Sequence, residues 1–135
     1  MHATDDRTPV TFITRYYLDK IKRLCDAHGT KLLFVTAPSP VNHTMQRHNE
    51  VQALADALAV PYLDLNLNTE ELGIDWNLDT LDGGDHLNYT GCQKATAYLQ
   101  RYMQTHYTLP DRRDDVRYEA WNKQAEEFEK LLPQP

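Results

Sequence analysis

The sequence predicts a three-layer α/β fold, or part of one, on two observations. Apolar residues recur at three- and four-residue spacings over two long stretches, and a short continuous apolar run follows each stretch within a few residues. Helix, strand, helix, strand with short connections is the pattern of a right-handed parallel crossover, because parallel strands need an element that carries the chain back across the sheet.

Thr8-Pro9 reads as an N-cap with a first-turn proline, and Phe12, Ile13, Tyr16, Tyr17, Ile21, Leu24 and Cys25 then form one face of a helix of about five turns. Gly29 supplies the left-handed residue that ends it. Lys31-Leu32-Leu33-Phe34-Val35-Thr36, closed by Pro38, reads as a strand buried on both faces. After a loop over residues 38–44, the helical period returns at 45–58 through Val51, Leu54, Ala55 and Leu58. Val60-Pro61-Tyr62-Leu63-Asp64-Leu65 is the second strand, ending in polar Asp64 and Asn66. Residues 66–88 form a long irregular connection with Trp76 and the pair Gly83-Gly84, and loops leaving the C-terminal ends of parallel strands are where α/β folds bind ligands. Asn88 or Thr90 caps a further helix carrying Cys92, Ala95, Tyr98, Leu99 and Tyr102 to about His106. Pro110 breaks the pattern, residues 111–115 are a charged turn, and 116–132 read as an appended helix with Tyr118, Trp121, Ala125, Phe128 and Leu131-Leu132. The expected division is residues 1–109 and a tail at 110–135.

Composition narrows the function. The 135 residues carry 14 Lys plus Arg against 20 Asp plus Glu, a formal charge of −6, and no basic run exceeds a pair. Phosphate neutralisation needs a basic footprint, so nucleic acid and anionic membrane are excluded as expected partners. With 41% apolar and 25% charged residues the chain is ordinary globular protein, and its longest strongly apolar stretch, Leu32-Leu33-Phe34-Val35, falls far short of the ~20 residues of a membrane helix. The N-terminal sequence does not read as a signal peptide. Cys25 and Cys92 form neither a disulfide framework nor a CxxC motif and read as two buried free thiols.

The chemistry concentrates in Asp82-Gly83-Gly84-Asp85-His86-Leu87-Asn88-Tyr89-Thr90-Gly91. A catalytic imidazole needs a backbone free to aim the ring and a carboxylate to hold its tautomer. Both acids are candidates, Asp82 favoured over Asp85: a residue next to the histidine tends to point away, whereas a diglycine folds Asp82 back. Ser39 is the only serine in the chain. Its flanking Pro38 and Pro40 argue for a rigid extended loop in place of a nucleophile elbow. Asn42 has the chemistry of an oxyanion donor, although an Asn after Pro-x-Pro is more often a turn or helix-capping residue. Trp76 and Tyr89 flank the glycine loop, where an aromatic ring either stacks on a sugar or packs as core or lid. His43 and His48 are five apart and share no helical face, and His2, His28 and His106 have no partner at metal spacing, so neither a metal nor a cofactor is expected.

The block D-G-G-D-H-L-N-Y-T-G, placed after the strand Tyr62-Leu63-Asp64-Leu65 and before a C-terminal helix, resembles the last conserved block of the SGNH (GDSL-like) hydrolases. The resemblance covers about residues 17–107. It implies a partial flavodoxin-like α/β/α fold comprising the last two parallel strands and their covering helices. It also implies esterase or acyltransferase activity on acyl esters, often acetylated carbohydrate, with His86 as base and Asp82 or Asp85 as its orienting acid. Similar proteins commonly work outside the bacterial cytoplasm. The family spacing is Asp-x-x-His, whereas Gly83 stands three before His86 here. The family's Gly-Asp-Ser nucleophile turn and its oxyanion Gly and Asn blocks have no counterpart in this sequence, which therefore looks like the C-terminal half of such a hydrolase. Such a half is expected to be inactive alone, with the N-terminal half of the hydrolase, or a second copy, as its partner. The alternative expectation is a non-catalytic α/β module that docks onto another polypeptide.

Overall fold

A computed structural model describes residues 2–132. Helix α1 spans Phe12–Ala27, strand β1 Phe34–Thr36, helix α2 Met45–Leu58 and strand β2 Tyr62–Asp64. A 3-10 turn at Leu65–Asn68 leads into α3, Thr69–Leu72, and a loop reaches α4, Tyr89–His106; a second 3-10 turn, Val116–Tyr118, precedes α5, Glu119–Leu131. The chain separates into two compact units, residues 1–99 and 100–135, so the division falls inside α4. Among the described residues, no helix is long and apolar enough to cross a membrane.

The α/β character is present on a small scale. β1 and β2 pair in parallel, Phe34 with Tyr62, Val35 with Leu63 and Thr36 with Asp64, and α2 is the crossover between them. Both strands are three residues long, half the expected length, and local chemistry sets each limit. Asp64 Oδ1 accepts the Asn66 N–H at 2.9 Å, turning the chain into the 3-10 helix and ending β2. At the other end Phe34 N–H reaches Pro61 O at 2.9 Å, and Pro61 has no N–H to extend the ladder. Val35 is 41% exposed, so β1 is not buried on both faces.

α1 begins three residues later than the Thr8-Pro9 signal implies. Thr8 N–H is held by Gln46 O and Val10 N–H by Glu50 Oε1, which keeps 8–10 out of the helix and against α2. Thr11 caps instead, accepting Thr14 N–H at 3.1 Å. The apolar face of α1 is the largest departure from expectation: the helix buries no residue, and Phe12, Ile13, Tyr17 and Leu24 are all more than half exposed. α2 has the expected bounds, capped by Thr44 and closed by Ala59 in the left-handed region at φ 51°. The core of the first unit is the Leu54 and Ala55 pair of α2 with Val60, Leu63, Leu65 and Leu72. Neither thiol is buried: Cys25 is partly accessible and Cys92 exposed. Within the second unit, α5 also buries no residue and Trp121 is 72% exposed.

Candidate active site

The loop that carries His86 is built on a buried carboxylate. Asp79, 2% exposed, takes hydrogen bonds from Asp75 N–H at 2.8 Å, from the Thr90 hydroxyl at 2.8 Å and from Lys94 Nζ at 2.6 Å. Its own carbonyl accepts Asn88 N–H at 2.9 Å. One residue thereby ties the connection after α3 to the first turns of α4. Lys94 contributes most to holding the Asp79 carboxyl down to about 2, with the Asp75 N–H and Thr90 adding to it. Asn88 caps α4, its Oδ1 accepting Gly91 N–H at 3.1 Å. Gly91 lies so close to the Asp79 carbonyl oxygen that a Cβ there would collide with it.

Above this anchor, residues 81–86 form a closed loop. Thr80 and Leu87 make an isolated antiparallel bridge, and Leu81 N–H donates to His86 O at 2.9 Å. Gly83 and Gly84 sit at φ 71° and 110°, a region other residues rarely adopt. A side chain at Gly84 would stand 2.9 Å from Pro40 Cγ, so the glycine also lets the loop lie against the 38–42 segment.

These glycines fold Asp82 back under the histidine. His86 Nδ1 is 2.6 Å from Asp82 Oδ2, and Asp82 Oδ1 accepts both His86 N–H at 2.7 Å and Asp85 N–H at 3.1 Å. Asp85 Oδ2 is 3.6 Å from the same ring nitrogen, beyond a hydrogen bond, and its Oδ1 accepts from Asn42 Nδ2. Asp82 therefore holds the ring, and Asp85 adds charge from a distance. The Asp82 carboxylate, by its hydrogen bond first and its charge second, raises the His86 imidazolium above the ordinary histidine range, with a smaller push from Asp85. The reverse holds for Asp82, whose carboxyl lies below its usual value, first through His86 and then through the backbone N–H of that residue. With Nδ1 occupied as donor, the free base atom is Nε2, on a side chain 69% exposed. A neutral imidazole in this tautomer can take a proton from a nucleophile presented to the loop.

The other candidate residues divide. Asn42 is brought to the loop through Asp85, while Arg47 Nη1 donates to its carbonyl. Ser39 is a turn residue: its Oγ accepts Asn42 N–H at 3.1 Å, its own N–H donates to Asn66 Oδ1 at 2.7 Å, and its carbonyl accepts His43 N–H at 3.2 Å. Trp76 is half-buried with its carbonyl bound to the Thr80 hydroxyl, and Tyr89 is 41% exposed with its hydroxyl accepting from Gln93 Nε2.

A second cluster gathers residues whose sequence spacing argued against it. His43 Nε2 and His48 Nδ1 lie 2.8 and 2.7 Å from the same Asp64 Oδ2. Helical spacing does not separate them, because His43 precedes the cap Thr44 and is not on α2. Beside them the Tyr62 hydroxyl bonds Thr36 Oγ1 at 2.8 Å. Burial, reinforced by the Asp64 charge, pushes that phenol up to about 12.

Comparison of the chain with protein-family models, with curated proteins and with solved structures found no match.

Proposed function

We propose that residues 82–86 are the base half of a serine esterase or acyltransferase site of the SGNH type. The observation that carries this reading is the exposed His86 ring held through Nδ1 by a carboxylate that backbone N–H groups fix in turn. That arrangement selects the tautomer with Nε2 free and stabilises the imidazolium formed on proton transfer. The acid is Asp82, and Asp85 modulates. The nucleophile is a serine from a polypeptide segment outside residues 1–135, since the sole serine here, Ser39, is committed to a turn. The oxyanion donors come from that segment too, with Asn42 nearest among the candidates here. In this reading β1 and β2 are two strands of a larger flavodoxin-like sheet. The substrate is an acyl ester, acetylated carbohydrate among the options, with Trp76 and Tyr89 as the stacking rings.

The test is complementation. Alone, the chain should hydrolyse p-nitrophenyl acetate no faster than a control protein of equal histidine content, and Ser39→Ala should change nothing. Co-expressed with a polypeptide carrying a Gly-Asp-Ser strand-turn, it should gain an esterase activity that His86→Ala lowers by several orders of magnitude. Turnover by the lone chain that Ser39→Ala abolishes would overturn the assignment. A second reading, a non-catalytic module docking onto another chain, is favoured by the uncovered apolar face of α1. It predicts a complex with that polypeptide but no His86-dependent turnover.

A further inference from the structure

His43, His48 and Asp64 converge from three places: the loop before α2, the first turns of α2 and the end of β2. His43 and Asp64 are buried, with side chains 7% and 2% exposed, and His48 is partly buried at 15%; one ligating atom from each lies within 4.8 Å of the other two. The carboxylate is aimed. Asp64 Oδ1 is fixed by both the Asn66 N–H and its side-chain Nδ2, each at 2.9 Å, which leaves Oδ2 facing the two imidazoles. The His48 ring is backed by Tyr62, centroids 5.5 Å apart.

We propose that His43 Nε2, His48 Nδ1 and Asp64 Oδ2 form a binding site for a single divalent transition-metal ion of the zinc type. Two neutral imidazoles and one carboxylate are a donor set zinc favours, three protein ligands leaving a fourth position for water. The trio carries one negative charge against the ion's two positive ones. Zinc sits about 2.0–2.2 Å from each ligand, which sets nitrogen-to-oxygen separations of about 3 Å or slightly more. The rings, now at hydrogen-bond distance from Oδ2, must draw back from it and turn toward a shared ion, and His43 lies on a loop. In the bound state each ring coordinates through the nitrogen that faces Asp64 and carries its proton on the opposite one, His43 Nδ1 and His48 Nε2. His43 lines two open clefts, one with Pro40 and Met45 and one with Thr36 and Arg47, which bring solvent to this ligand. This site is separate from the His86 loop and does not depend on the esterase reading.

The full chain, stripped with a chelator, is titrated with Zn2+ against a chromophoric competitor. One ion per chain should bind, and His86→Ala should retain it, which separates this site from the Asp82, Asp85 and His86 group. His43→Ala or His48→Ala should weaken binding by more than the roughly 10- to 100-fold that loss of a ligand's supporting group costs. His48→Gln keeps a donor for Asp64 but is a poor zinc ligand, so it should stay folded by circular dichroism and lose the ion. On the wild-type chain, Zn2+ should shift the ring 15N signals of His43 at Nε2 and of His48 at Nδ1 while leaving His86 unmoved. Absence of stoichiometric binding, binding that survives the paired His43→Ala and His48→Ala changes, or ring shifts confined to His86 would each overturn the proposal and leave the cluster a hydrogen-bonded brace.

Discussion

At His86 the question is which neighbouring carboxylate sets the proton affinity of the ring, and distance answers it. Asp82 touches Nδ1 at 2.6 Å and Asp85 stands off at 3.6 Å. Removing a carboxylate that hydrogen-bonds the charged form returns a histidine toward its ordinary value of about 6.5. Asp82→Asn should therefore lower the His86 pKa, read by NMR titration, more than Asp85→Asn does; a larger drop from Asp85→Asn reverses the assignment. The same upward shift fixes the sign of the pH dependence in a complemented enzyme. A base works unprotonated, so kcat/KM should rise with pH through an apparent pKa above about 6.5, and Asp82→Asn should move that limb down. This residue pair was legible in the sequence because a diglycine lets an acid fold back onto the histidine that follows it. Asp79 and Asp64 were not: beside their local donors at Asp75 and Asn66, the side chains that complete each group, Lys94 for Asp79 and His48 and His43 for Asp64, lie 15, 16 and 21 residues away, and no local pattern announces them.

At the scale of elements, legibility followed how local the deciding interactions are. α2 had its bounds readable because the apolar period that marks them lies within Met45–Leu58 itself. α1 began late because N–H bonds from residues 8 and 10 to α2 outweighed a proline signal that considers only neighbours. The strands came out short because the Asp64 turn and Pro61 cut the ladder, neither of which an apolar run reveals. The contact between Asp79 and the start of α4 is a tight joint. Gly91→Ala would drive a methyl into the Asp79 carbonyl oxygen, and overpacking of that kind costs about 1–3 kcal/mol; chemical denaturation should show the loss, with His86 displaced from Asp82. Asp79 itself makes this joint acid-sensitive. Its carboxyl is held down to about 2 against an unfolded value of about 3.9, so its contribution is full above about pH 4 and is lost as pH falls toward 2. Asp79→Asn should flatten the stability curve over that window; an unchanged acid limb would place the sensitivity elsewhere.

The first unit leaves its apolar surface unevenly covered, and that governs how the whole molecule should behave. Phe12 is 80% exposed, Ile13 65%, Tyr17 58% and Leu24 61%, and residues 12, 13, 16, 17, 21 and 24 follow the helical period, so they share one face. Scattered exposed apolar residues are normal, but a contiguous stripe this rich in aromatic rings marks an interaction surface. β1 adds a second open feature in the same unit: among the described residues it is bonded along one edge to β2, in a sheet of two strands, and its central Val35 is exposed. A strand with one bare edge accepts another strand. Both features ask for a partner that brings an apolar face and a strand, which another copy or a complementary polypeptide provides. We therefore expect the purified chain to self-associate at micromolar concentration, measured by light scattering after size exclusion. Replacing Phe12, Tyr17 and Leu24 together by Gln should shift it to monomer while leaving the helical signal in place, because none of the three is buried. A wild-type chain that is monomeric with a cooperative thermal transition would mean that this face is satisfied within one molecule. That result would remove the main support for a docking partner and favour a self-contained domain.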